Sequence, residues 1–103
     1  MKPLTKPHDC ENIQEIRDAI DIIDRKILQM FAQRHEYVKE IIKFKSWDEK
    51  GIIARERKEL VLKERKEWAE EMGLDAELME NVFRLLIDKN IQIQFDIYNS
   101  NNK

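Results

Sequence analysis

The sequence predicts an all-α protein: three helices per chain, one of them very long, in a homodimer whose protomers wrap around each other. Three observations carry this. Ile13, Ile16, Ile20, Ile23, Ile27, Met30, Arg34, Tyr37, Ile41 and Phe44 recur at steps of three and four, which keeps one stripe of a single long helix facing a partner. Both prolines, Pro3 and Pro7, lie near the N-terminus and only two glycines occur, so little in the rest of the chain forbids helix. Hairpin signals are missing: the chain has no Asn-Gly or Asp-Gly pairs.

Residues 1–11 read as a flexible tail. Asn12, with Glu15 three positions on, forms a capping-box pattern that starts the first helix at about residue 12. The seam then runs to about Ser46, and at about 1.5 Å per residue it makes a rod of roughly 50 Å. Ser46–Ile53, with Gly51, reads as a loop. A second helix is expected over Ala54–Met72, with Val61, Glu64 and Trp68 on one line. Gly73 fits its C-terminal cap, and Leu74 the apolar contact that accompanies such a cap. Asp75 caps a third helix over Ala76–Tyr98, and residues 99–103 fray. One helical domain, 12–98, is the result. At 103 residues it is near the lower end for a self-sufficient core. Pairing the long helices of two chains supplies the missing burial.

Charge excludes several functions. Charged residues make up 39% of the chain, yet the net charge is only −2. Between Arg55 and Glu71 the two signs alternate, which predicts a solvated face with i,i+4 pairs such as Glu59–Lys63. No single-sign stripe tracks a phosphate backbone, so nucleic acid is not an expected partner. Cys10 is the only cysteine, which rules out an intrachain disulfide or a Cys-based zinc site. No apolar run approaches the ~20 residues that span a bilayer, and no signal core is present. The expectation is a cytoplasmic protein with no membrane partner.

The functional reading starts from polar residues in apolar stripes. Arg34 interrupts the seam, and a guanidinium buried without a carboxylate or an anionic ligand is costly. The third helix repeats the anomaly: its stripe Phe83, Ile87, Asn90, Gln94, Ile97 carries two amides one turn apart. Buried amides need partners, so either a polar ligand or bonds to neighbouring helices is implied, with equal weight. Arg17, beside the seam, would ordinarily make a surface bridge to Asp21. Lys45 would ordinarily be solvated, and Arg57 falls on the line of Val61 and Trp68. Singly, each has an ordinary explanation. Together, Arg17, Arg34, Lys45 and Arg57 can ring one cavity with Gln94, and such a cation set suits a small dianion. No acid–base pair, nucleophile–base pair or metal cluster accompanies them, and His8 and His35 read as bystanders. Chemistry by positioning and electrostatics, without cofactor or metal, is the expectation.

Read in order, Asp9-Cys10, Ile16-Arg17-Asp18-Ala19-Ile20-Asp21, Arg34 with Tyr37-Val38-Lys39, and Phe44-Lys45-Ser46 form a familiar series. It continues through Glu56-Arg57, Trp68-Ala69-Glu70-Glu71, Gly73-Leu74-Asp75 and Gln94. The series resembles the AroQ-type chorismate mutase family, and most closely its isochorismate-pyruvate lyase branch, which makes salicylate. The resemblance implies an intertwined homodimer with two sites built from both chains. It implies that Arg17 of one protomer joins Arg34, Arg57 and Lys45 of the other, the arginines holding two substrate carboxylates. Lys45 and Gln94 would approach the ether oxygen whose bond to the ring breaks, Asn90 would line the same site, and the Ser46–Ile53 loop would act as a lid.

Two departures bear on the substrate. Typical mutases carry an acidic residue where Ala54 stands, and a glutamate where Lys58 stands, to hold a ring hydroxyl. Their absence favours isochorismate-pyruvate lyase, with side chorismate mutase activity. Lys58 also replaces the apolar residue expected in a lyase. The alternatives are a dedicated chorismate mutase, making prephenate, and a non-catalytic helical dimerisation module.

Overall fold

A computed structural model describes residues 4–44 and 50–101. They form three α-helices, α1 (Ile13–Ile41), α2 (Lys50–Glu71) and α3 (Ala76–Asn101), with 3-10 turns at Pro7–Asp9 and Ile42–Phe44. The described residues contain no strand, as expected for an all-α chain. None of their helices is long and apolar enough to cross a membrane.

Side chains fix where the helices begin and end. The Asn12 side chain accepts the Glu15 N–H at 2.9 Å, as the capping pattern requires. The Glu15 carboxylate reaches back one residue further than in a standard box, accepting the Glu11 N–H at 2.9 Å. At its far end α1 tightens into the 3-10 turn at Ile42, short of the expected Ser46, which lies outside the described residues. The α2 terminus follows the expected cap closely. Gly73 adopts φ +73°, a left-handed conformation natural to a residue without Cβ. Its N–H bonds to the Glu70 carbonyl at 3.1 Å and the Leu74 N–H to the Ala69 carbonyl at 2.9 Å, the paired bonds of a Schellman motif. Asp75 then accepts the Leu78 N–H at 3.0 Å and starts α3.

Two boundaries differ from expectation. α2 begins at Lys50, so the Lys50–Ile53 part of the expected loop is helical; Gly51 falls in the first turn, where few intrahelical bonds depend on it. α3 runs to Asn101 instead of ending at Tyr98, because neither proline nor glycine follows Tyr98 to stop it.

The chain divides into two compact units, Met1–Glu36 and Tyr37–Lys103. In the first, the 3-10 turn ties the Asp9 N–H to the Lys6 carbonyl at 2.9 Å. Leu4, Pro7 and Cys10 of the N-terminal segment and Ile16, Ile20 and Ile23 of α1 line a largely apolar cavity of about 420 Å³. The seam itself is open: Ile13, Ile16, Ile20, Ile23, Ile27 and Met30 are all exposed.

The second unit owns the buried core. Val38, Val61, Leu62 and Ala69 are buried, together with the polar Gln94. α2 turns Lys58, Leu62, Arg65 and Ala69 toward α3, residues spaced at helical steps of four, three and four. Leu62 is 2% exposed, while Lys58 and Arg65 contact Asp88 and Phe83 of α3. The line expected from sequence, Val61–Glu64–Trp68, is therefore not the buried face: Val61 is covered, but Trp68 is exposed. The α3 stripe is as expected, with Phe83, Ile87, Asn90 and Ile97 half-buried and Gln94 buried. Glu59–Lys63 does not form among the described residues. Instead, Lys66 pairs with Glu80 at 3.7 Å, and Glu80 also accepts from Arg84 at 3.0 Å.

Candidate active site

Gln94 sits deepest. At 4% exposure its amide needs a partner, and Nε2 donates to the Val38 carbonyl at 3.4 Å. In an unbroken α-helix that carbonyl would take the N–H of residue 42, where α1 tightens into its 3-10 turn. The amide of α3 therefore caps a carbonyl at the end of α1 and is held in one orientation. Asn90, one turn earlier on the same inward face, is half-buried. Of the two readings open at sequence level for these amides, bonding to a neighbouring helix holds for Gln94, and this same bond orients it.

Arg57, on α2, is exposed. Its guanidinium lies 3.8 Å from the Glu64 carboxylate two turns on, and Glu64 lies equally close, at 3.8 Å, to Arg65. Arg65 stacks over the Trp68 ring at 4.6 Å and approaches Phe83 at 5.9 Å, within cation–π range. Sequence reasoning missed Glu64 as the partner of Arg57. The helical i,i+7 spacing was the available signal.

Arg17 and Arg34 belong to the first unit. Arg17 is exposed, and its expected bridge to Asp21 does not form among the described residues. Arg34 is half-buried while its seam neighbours Met30 and Tyr37 are 60% and 69% exposed. The charged residue of the stripe is thus better covered than its apolar neighbours. Lys45, together with residues 46–49 of the expected lid, lies outside the described residues.

Lys58 adjoins Arg57 in sequence, yet it is turned into α3. Its ammonium bonds the Asp88 carboxylate at 2.5 Å and its side chain is only 22% exposed. The side chain standing where typical mutases carry a glutamate is committed to a neighbouring helix.

Residues 16–95 match the model of the family described as chorismate mutase type II. The chain belongs to that family. It is similar to the isochorismate pyruvate lyase of Pseudomonas aeruginosa, with 46% identity over 81 residues, 79% of each chain. It also resembles the chorismate mutase of Methanocaldococcus jannaschii, with 30% identity over 84 residues, 82% of this chain and 85% of that one. The T-protein of Haemophilus influenzae matches at 38% over 74 residues, 72% of this chain but only 20% of that longer protein. Membership covers the helical span that carries Arg17, Arg34, Arg57, Asn90 and Gln94.

Proposed function

We propose that the protein is an isochorismate pyruvate lyase, an enzyme that eliminates pyruvate from isochorismate to leave salicylate, with chorismate mutase activity as a side reaction. The observation that carries this is the 46% identity to a lyase over four-fifths of both chains. The state of position 58 agrees with it. With Ala54 and Lys58 where typical mutases have acids, and with Lys58 bonded to Asp88, neither position supplies a carboxylate for a ring hydroxyl.

In the reaction, a ring hydrogen moves to the enolpyruvyl methylene as the bond between ring and ether oxygen breaks. That oxygen becomes the pyruvate ketone and the ring becomes aromatic. Arg34 and Arg57 bind the two carboxylates with Arg17 reaching in from the second protomer, since guanidinium forks match carboxylates in pairs of parallel bonds. Binding both ends folds the substrate into its reactive conformer, and this positioning supplies much of the acceleration. Lys45 and Gln94 stabilise the charge that builds on the ether oxygen, while Asn90 lines the pocket. Arg57 must leave Glu64 to take a carboxylate, and a pair 3.8 Å apart with Arg57 63% exposed is weak enough to exchange.

The homodimer is part of this reading. A core of four buried apolar residues among those described is small for a chain of this length, and the Ile13–Met30 seam stands exposed. Each isoleucine moved from water to a buried interface contributes about 1.5–3 kcal/mol, so the seam favours pairing strongly. Working in the cytoplasm fits a chain with one cysteine.

Lys45→Met tests the chemistry. It should lower kcat for isochorismate by at least about 100-fold, because an interaction made mainly in the transition state is lost. Near-normal turnover by this variant would overturn the role given to Lys45. Chorismate mutase as the main activity is the second reading, supported by the Methanocaldococcus relative; the larger kcat/KM of the two substrates decides between them.

A further inference from the structure

We infer that Lys58 and Asp88 form a register lock between α2 and α3, and that Lys58 is a positioning residue for Arg57 that does not touch substrate; this rests on the proposed function. Two ion pairs bridge α2 and α3. Lys58 pairs with Asp88, and Lys66 pairs with Glu80. Eight residues forward along α2 are matched by eight residues back along α3, so both bridges obey one antiparallel register. Between them lies Leu62, 2% exposed, and Lys58, Leu62 and Arg65 share the face of α2 turned to α3.

The two bridges differ in quality. Lys58–Asp88 is the tighter, at 2.5 Å against 3.7 Å, and its cation is the better covered, at 22% against 48% side-chain exposure. It is also the one at the functional end. Arg57 is the next residue to Lys58, while Asn90 and Gln94 follow Asp88 by two and six positions on α3. Sliding α2 along α3 by one turn would move Arg57 by about 5.4 Å relative to these amides, further than a carboxylate clamp tolerates. The apolar contact around Leu62 resists separation but discriminates poorly between neighbouring registers. The directional charge-assisted bond between Lys58 and Asp88 supplies that discrimination, and the looser Lys66–Glu80 ion pair keeps the same register at the other end.

The direction of the side chain makes the second half of the claim. Successive residues of a helix point about 100° apart, and here the two part ways: Arg57 turns to Glu64 on its own helix while Lys58 turns to Asp88 of α3. Arg57 follows the line of Glu64, whereas Lys58 follows that of Leu62 and Arg65. Its charge is neutralised on α3 and adds nothing to the cation set that holds the dianion.

A double-mutant cycle tests this: Lys58→Met, Asp88→Asn and the combined variant, with Lys58→Arg as the conservative control. Steady-state kinetics with isochorismate and with chorismate are measured well below each variant's Tm. A lock predicts that both single variants and the double lose the same factor, about three- to fivefold in kcat/KM. The loss should lie mainly in KM, since Arg57 binds a carboxylate, and Lys58→Arg should restore it. Loss in Lys58→Met with none in Asp88→Asn would overturn the inference and make Lys58 a substrate contact. No loss in any variant would overturn it too, leaving a surface pair. If the wild type turns over neither substrate, the proposed function fails and the positioning role falls with it. The thermal-stability cycle of the same variants would still report whether residues 58 and 88 are coupled.

Discussion

The α1 seam and the α2–α3 contact are both apolar stripes interrupted by charge, but they handle it in opposite ways. Along α2–α3 the intruding cations find partners within the protomer: Lys58 meets Asp88, Lys66 meets Glu80, and Arg65 lies over Trp68 and near Phe83. The apolar residues between them, Leu62 and Ala69, are buried. Along α1 the apolar residues stand exposed and Arg34 alone in the stripe is half-buried. The α2–α3 stripe is covered within its own chain, whereas the α1 seam stands exposed and, in the proposed homodimer, is where the second copy packs. Lys58 and Lys66 are explained by their neighbours on α3, whereas the proposed function gives Arg34 a substrate carboxylate.

The largest expected effect comes from attacking the α1 seam. Ile20→Asp puts a carboxylate twice into the paired seam, and should weaken the dimer by about 100- to 1,000-fold as read by sedimentation velocity. An unchanged dimer would move the interface off the seam. In the α2–α3 stripe, Leu62→Ala should cost about 2–5 kcal/mol of unfolding free energy in urea melts, by leaving a cavity under α3. It should leave the dimer constant nearly unaltered, which separates the two regions.

Arg34→Ala sharpens the comparison further. If the arginine is there for a ligand, kcat/KM should fall by about 30-fold or more with little change in the melting curve. A gain in stability with no loss of turnover would return Arg34 to the seam as a structural residue. Smallest of all, Asn12→Ala removes one cap bond and should cost about 1 kcal/mol in the same melts, with kinetics untouched.

The parts of this fold that the sequence revealed are those decided within a few residues. Asn12, Gly73 and Asp75 mark helix ends through bonds spanning three to five positions, so their identity and spacing sufficed. The inward face of α3 was readable because its stripe is mostly apolar. The buried face of α2 was not: Lys58 and Arg65 lie on it, and periodicity counts a lysine as surface. Its neighbour Leu62 looked no different from Trp68, which is exposed. Likewise Gly51 mimicked a loop signal while standing in a helical first turn. For the site, residue types and family resemblance named Arg17, Arg34, Lys45, Arg57, Asn90 and Gln94. Neither revealed that Arg57 rests on Glu64, or that Gln94 is fixed by a backbone carbonyl 56 positions away. Such pairings depend on how helices meet, which local spacing does not encode.

The central claim is that this helical protein is a lyase acting on isochorismate. The most direct measurement gives the purified protein isochorismate and chorismate in parallel, following salicylate fluorescence in one and chorismate absorbance in the other. Rapid salicylate formation, with a kcat/KM well above that for chorismate loss, is the predicted result. Faster consumption of chorismate than of isochorismate would contradict it and make the protein a mutase without the usual acids.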